Sequence, residues 1–300
     1  VLVKQMEIIK VTPQGFCKGV IAAIALINKA LKNDNIKPPI YMLGGLVHNK
    51  HIINAYERKG VKIISSLDNI YEGTVIITAH GVSDKVIETI KARNLGLINA
   101  TCFDVTKTHN IIKAKLSEGY DIIFYGKATH PETKGVLGIS NQIHLIEKQD
   151  DINKLNLNSQ KIIFATQTTM SYLDVLEIKK LVQAKYPQVE AYEDVCTATK
   201  LRQTALIEQA KTADLCIVVG DPTSNNTNKL KEVCTRYTNT PCIMIENIND
   251  LKDFNFNGIN KIVITSGAST PPAIVSEVIT GIRTNDFNSK LQDDDYLKFK

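Results

Sequence analysis

The chain of 300 residues has no tryptophan, and aromatic residues make up only 6% of it. Proteins that stack the bases of single-stranded nucleic acid need aromatic faces, so that class of partner is not expected. No Lys/Arg run is present, and the net charge of +5 (36 basic against 31 acidic residues) is mild. Such a balance leaves no nucleic-acid footprint and suits a small anionic ligand. The longest apolar stretch, Val20 to Ile27, is far short of the roughly 20 residues that cross a bilayer. No charged segment followed by an apolar one opens the chain, so the cytoplasm is the expected compartment. Neither a G-x-G-x-x-G loop nor a Walker-type loop occurs. The six cysteines, at 17, 102, 196, 216, 234 and 242, form no C-x-x-C pair. In a reducing compartment disulfides are not their expected use.

What is present is a strand, a short polar loop and a helix, repeated many times. Apolar runs without alternation, Ile40–Leu43, Thr74–Thr78, Asp121–Tyr125, Lys161–Ala165, Leu215–Val219 and Lys261–Thr265, suit strands buried on both faces of a parallel sheet. Amphipathic stretches such as Asp84–Arg93, Tyr172–Tyr186 and Asn226–Tyr237 follow them. The alternation predicts an α/β architecture. A longer period lies over it. Three strands run into a cysteine that opens a helix: Glu7–Val11 into Cys17, Leu95–Thr101 into Cys102, Val189–Val195 into Cys196. Each is followed by a strand ending in a polar cluster, with His48, His130 and Ser224 lying 31, 28 and 28 residues after the respective cysteine. A second cluster closes each period: T-A-H-G-V-S at 78–83, A-T-Q-T-T at 165–169, T-S-G-A-S-T at 265–270. The order predicts three small parallel-sheet α/β domains, 1–98, 99–194 and 195–283, in a pseudo-threefold trefoil around a central cavity. The polar tail 284–300 falls outside the pattern and reads as a loose appendage.

In open parallel sheets ligands bind beyond the carboxyl ends of the strands, where all these loops lie. If the domains face inward, Cys17, Cys102 and Cys196 meet. Three thiolates at helix N-termini coexist only around a cation. With one open position, the set suits an iron–sulfur cluster with a reactive iron, or a catalytic zinc. Cys216 and Cys242 lie inside strands and Cys234 inside a helix, so these three read as packing. His48, His80, His130, Thr168, Thr169, Ser224, Asn226 and Ser269 are hydrogen-bonding groups fit for an oxyanion, and helix starts add backbone N–H donors. His51, His109 and His144 fall elsewhere and read as structural. Glu132, two residues after His130, is the candidate proton donor, relayed through Thr168. Asp221, beside Pro222, reads as a turn.

Together P-Q-G-F-C-K-G-V (13–20), L-V-H-N-K-H (46–51), T-A-H-G-V-S, N-A-T-C-F-D-V-T-K (99–107), T-H-P-E (129–132), A-T-Q-T-T, E-D-V-C-T-A-T (193–199), S-N-N-T-N (224–228) and T-S-G-A-S-T resemble the 4-hydroxy-3-methylbut-2-enyl diphosphate reductase family, IspH/LytB. The resemblance runs in order from about Met6 to Ile282. It implies a three-domain trefoil and a [4Fe–4S] cluster held by Cys17, Cys102 and Cys196, with one iron lacking a protein ligand. It implies reductive dehydroxylation of an allylic diphosphate to isopentenyl and dimethylallyl diphosphate, the last step of the non-mevalonate isoprenoid pathway. It implies a ferredoxin or flavodoxin as the electron donor. The family's catalytic positions fall on Glu132, Thr168 and His130. Its substrate-binding positions fall on His48, His80, His130, Thr168, Ser224, Asn225, Asn226 and Ser269. Gln14 stands where many members carry Arg, Asn225 where a second serine is common, and Lys127-Ala128 depart from the glycine-rich form. Other uses of three cysteines are a quinolinate-synthase-like enzyme, which needs no external reductant, and a non-enzymatic iron–sulfur sensor, which needs no acid in the cavity.

Overall fold

A computed structural model of the chain describes residues 6–192 and 195–299. The expected break at 194 and the segment Val1–Gln5 lie outside the described residues. In chain order the elements begin with β1 (Glu7–Lys10), α1 (Lys18–Ala30), β2 (Ile40–Leu43), α2 (Lys50–Arg58), β3 (Val61–Ile64), β4 (Thr74–Ile77), α3 (Asp84–Ala92) and β5 (Gly96–Asn99). They continue with α4 (Phe103–Ser117), β6 (Asp121–Tyr125), α5 (Pro131–Leu137), β7 (Ile143–Ile146), α6 (Gln149–Lys154), β8 (Ile162–Thr166), α7 (Tyr172–Lys185) and β9 (Glu190–Ala191). The remainder is α8 (Thr197–Ala210), β10 (Leu215–Val219), α9 (Asn225–Tyr237), β11 (Cys242–Ile245), a 3-10 turn at Ile248–Leu251, β12 (Lys261–Ser266), α10 (Pro272–Thr284) and α11 (Asp293–Tyr296). All of β4, β8 and β10 is buried, as runs without alternation require when helices cover both faces of a sheet.

Among the described residues the strands form three four-stranded sheets, ordered β3-β2-β4-β5, β7-β6-β8-β9 and β11-β10-β12-β1, and every pairing is parallel. The threefold repeat is therefore real, but its phase differs from the sequence reading. The strand that leads into each cysteine does not open a sheet. It closes the sheet before it, and β1 closes the third, with Glu7 opposite Lys261 and Lys10 opposite Ile264. Hydropathy fixes that a segment is a buried strand. Its partner depends on how the crossovers return to the sheet, which hydropathy does not record.

By contact the chain groups into two compact units. The first is Val1–Ile21, Val47–Lys59 and Thr197–Lys300, and the second is Ala22–Leu46 and Gly60–Cys196. The first unit contains the third sheet, one face of which packs Leu215, Ile217, Ile262 and Ile264 against Ile274, Val275 and Val278 of α10. The tail is part of this unit and is not loose. Phe287, Leu291 and Tyr296 join the same apolar cluster, Tyr296 stacks on His51 of α2 at 4.5 Å between ring centroids, and Asp293 and Asp294 pair with Arg58 and Lys59. The ion pairs are exposed and contribute little; the apolar contacts hold the tail.

The second unit contains the other two sheets. Its helix α5 lies tightly against the loop before α3. A Cβ on Gly138 would stand 2.6 Å from the Ser83 Cβ, and one on Gly135 would stand 3.3 Å from the His109 ring. Glycine is needed at Gly138 for this approach, because a methyl at that distance overlaps its neighbour.

Candidate functional site

Three features recur in the three sheets. After the second strand of each sheet stands a glycine whose N–H bonds to the end of the neighbouring strand: Gly44 to Ile64, Gly126 to Ile146, Gly220 to Ile245. Each cysteine of the sequence repeat starts a helix: Cys17 directly precedes α1, Cys102 caps α4 and Cys196 directly precedes α8. Each cysteine N–H then bonds to a carbonyl two residues past the end of a central strand: Cys17 to Ala268 at 3.1 Å, Cys102 to Ala79 at 3.0 Å, Cys196 to Thr168 at 3.0 Å. The three cysteines thus occupy equivalent backbone positions in the three sheets. All three thiols are partly exposed and none is in a disulfide. Helix N-termini favour the negative charge a metal-bound thiolate carries. The donor set fits an iron–sulfur cluster, which is held by cysteine thiolates.

In the second unit the loops gather Glu132, Thr168, His130 and His80. Glu132 is 2% exposed at the second position of α5. Its Oε1 accepts the Thr168 N–H at 2.7 Å and its Oε2 the Thr168 hydroxyl at 3.0 Å. Burial raises its pKa to about 7, against the two Thr168 bonds, which favour the carboxylate. A carboxyl balanced there holds or releases a proton near neutrality. His130 caps the same helix through Nδ1, which accepts the Glu132 N–H at 3.2 Å. That bond needs an unprotonated Nδ1, so the proton of the neutral ring sits on Nε2. His80 stands edge-on to His130, with centroids 5.4 Å apart. Gln167, to which the sequence reading gave no role, ties these loops together. Its Oε1 accepts from Lys127 N and the Thr133 hydroxyl, and its Nε2 donates to Thr169.

In the first unit the corresponding loops gather Ser224, Ser269, Asn226 and His48. Ser224 caps α9 by accepting the Thr227 N–H. The Ser269 hydroxyl lies 3.3 Å from that of Ser224 and 3.2 Å from the His48 carbonyl. Asn225 is buried at the first position of α9. Asn226, at the second position, accepts the Ala268 N–H through Oδ1 at 2.9 Å and reaches the Thr199 hydroxyl at 3.1 Å. Ala268 is the residue whose carbonyl holds Cys17. Asn226 is therefore the counterpart of Glu132, which holds the N–H of Thr168, whose carbonyl holds Cys196. Burial pushes the His48 imidazole below its ordinary pKa, with Asp221 opposing. Asp221 forms the expected turn, accepting from Thr223, and also receives the Lys50 N–H at the start of α2. Burial pushes Asp221 up, but the Thr223 and Lys50 bonds outweigh it and hold its carboxyl below the usual range.

One grouping was not foreseen. Cys216, Cys234 and Cys242, read from sequence as packing, offer sulfurs that all lie within 4.8 Å of one another in the first unit. Their positions in chain order give no sign of it, because the pairing register of β10 and β11 decides which strand residues face each other.

Residues 8–283 match the LytB protein family. The chain is 43% identical over 291 residues to the 4-hydroxy-3-methylbut-2-enyl diphosphate reductase of Anoxybacillus flavithermus, covering 95% of this chain and 92% of the relative. It is 44% identical over 281 residues to the enzyme of the same name from Bacillus subtilis, covering 91% and 90%. The solved structure of E-1-hydroxy-2-methyl-but-2-enyl-4-diphosphate reductase from Plasmodium falciparum is similar with a TM-score of 0.89 at 34% identity, covering 96% of this chain and 91% of that one. A second solved structure, of (E)-4-hydroxy-3-methyl-but-2-enyl diphosphate reductase, described as the terminal enzyme of the non-mevalonate pathway, gives a TM-score of 0.66 at 30% identity over 93% and 99%. With the family matched over residues 8–283 and relatives 43–44% identical along more than nine-tenths of its length, the chain belongs to the LytB family.

Proposed function

We propose that this enzyme is an oxidoreductase that removes the allylic hydroxyl of 4-hydroxy-3-methylbut-2-enyl diphosphate as water, giving isopentenyl and dimethylallyl diphosphate. Two electrons and two protons enter, the C–O bond breaks, and one proton leaves with the hydroxyl while the other ends on carbon. The observation that carries the reading is the Glu132–Thr168 pair. A buried carboxyl with a pKa of about 7 is clamped by a residue whose carbonyl holds the cysteine Cys196.

Cys17, Cys102 and Cys196 would hold an iron–sulfur cluster of the [4Fe–4S] type, which when bound supplies electrons and Lewis acidity at an iron without a protein ligand. The chain's own residues do the rest. Glu132 holds the proton that departs with the hydroxyl, and the Thr168 hydroxyl, which bonds Oε2 of that carboxyl, orients both. His130 Nε2 offers a donor. His48, His80, Ser224, Asn225, Asn226 and Ser269 bind the diphosphate, with helix N-termini adding N–H groups. The diphosphate anchor keeps the reacting carbon in place, which lowers the entropic part of the barrier. Asn226 already uses its Oδ1 on Ala268 and one amide N–H on Thr199, so its second amide N–H serves the ligand. A ferredoxin or flavodoxin delivers the electrons one at a time. Among the described residues no helix is long and apolar enough to cross a membrane, and we place the reaction in the cytoplasm.

The test is anaerobic purification with iron and acid-labile sulfide analysis, followed by turnover of the diphosphate substrate with a reduced ferredoxin. About four iron and four sulfide per chain, with electron-dependent product formation, are expected. Substrate consumption without an electron donor, or zinc alone after anaerobic reconstitution, would overturn the reading.

A further inference from the structure

Three thiols on three separate elements converge in the first unit, and none of them is a cysteine of the sequence repeat. Cys216 of β10 and Cys242 of β11 are direct register partners on adjacent parallel strands, so their side chains leave the sheet on the same face. Cys234 comes from α9, the crossover helix between those strands. One sulfur from each lies within 4.8 Å of the other two. Val11, Leu206, Ala210, Val218, Leu230 and Val263 wall the cluster. Cys216 and Cys234 are fully buried, while Cys242 is partly exposed and gives a route in.

We propose that Cys216, Cys234 and Cys242 form a second metal site, one that takes a soft, thiophilic d10 cation of the copper(I) or zinc(II) class. Metal–sulfur bonds of about 2.3 Å put the sulfurs of such a site about 4 Å apart, so closing the cluster on an ion needs shifts of only a fraction of an ångström. The donor set is purely sulfur, and no carboxylate or imidazole belongs to it. Thiolates select copper(I) and zinc over magnesium, calcium or manganese. An aliphatic wall could be filled by Val or Ala at all three positions. Three convergent sulfurs add nothing to packing that those residues would not, and they add the means to bind a metal. Lys231 is close enough to act on Cys242 electrostatically and offsets part of the negative charge a thiolate–metal centre carries. The site is separate from the reaction proposed above, and neither stands or falls with the other.

The experiment uses the iron-loaded enzyme, whose other three cysteines are occupied. Zinc(II) alone and, in a second arm, copper(I) alone are titrated against a chromophoric chelator for each. The wild type is expected to hold one more equivalent of one of these ions than the Cys216→Ala/Cys234→Ala/Cys242→Ala variant, at unchanged turnover. The arm that retains the ion identifies it. A variant that fails to fold is bypassed by a measurement on the unaltered protein. Maleimide labelling of Cys242, mapped by peptide mass, is expected to stop once one equivalent of the retained ion is added. Equal metal retention in wild type and variant, or labelling of Cys242 that ignores both ions, would reduce the cluster to packing.

Discussion

Glu132 illustrates how a single side chain is set by opposing forces. Burial alone drives a carboxyl toward its neutral form, and two bonds from Thr168 pull it back to about 7. Removing the proton while keeping the shape, in Glu132→Gln, is expected to lower turnover by at least about 100-fold, the usual scale for losing a general acid. Iron content and far-ultraviolet dichroism stay at wild-type values; turnover within a few fold of wild type would remove Glu132 from the mechanism. The protonated form is the one that donates, so turnover is expected to fall as pH rises through about 7. Stability follows the same group. Its folded pKa lies above its unfolded value of 4.5, so its contribution is full below pH 4.5 and is lost as pH rises to about 7. The loss amounts to about 3 kcal/mol at 1.36 kcal/mol per unit. Denaturant midpoints measured across that window should fall in the wild type and show less of a fall in Glu132→Gln. Thr168→Val removes one of the bonds that favour the carboxylate, so the alkaline limb of the rate profile moves to higher pH, and Thr168→Ser moves it back. The motif T-H-P-E made Glu132 visible in the sequence. Its clamp was proposed from the chemistry but its geometry was not visible, because Thr168 lies 36 residues away. Asn226 was read as a ligand group. That it fastens Ala268, and through it Cys17, needed the fold.

Among elements, α5 shows why loops and helices cannot be judged apart. It carries His130 and Glu132 at its start and Gly138 at its end, and that glycine lets it sit on the loop at Ser83. Gly138→Ala is expected to cost about 1–3 kcal/mol through overpacking, read as a lower thermal midpoint, and to lower turnover because α5 carries Glu132 with it. An unchanged midpoint would mean that the Ser83 loop yields freely. The strands were the most legible elements. Ile40–Leu43, Asp121–Tyr125 and Leu215–Val219 begin and end where the β-branched runs do. What the runs did not contain was neighbourhood. The same lack of register information hid the Cys216–Cys242 pair, whose members look like ordinary apolar positions in two strands.

The molecule as a whole repeats one plan three times, and that much follows from the spacing of cysteines and polar loops. The tail is the part the pattern did not reach. Its polar composition suggested a loose end, yet Phe287, Leu291 and Tyr296 are enough to seat it on an apolar cluster. Tyr296→Ala removes the stack on His51 and is expected to cost about 1 kcal/mol, the scale of an aromatic pair plus part of its buried area; a midpoint identical to wild type would show the tail to be incidental. The pairing of β1 with β12 has a consequence for how the protein is made. Glu7 meets Lys261, and a ribosome adding about 5–20 residues per second needs roughly 13–50 s to pass from one to the other. β1 waits unpaired until β12 has emerged. Its charged ends, Glu7 and Lys10, disfavour pairing with other chains meanwhile. Cys17, whose backbone is held by Ala268, takes its place only then, so a cofactor that needs this cysteine is inserted only after Ala268 has been made.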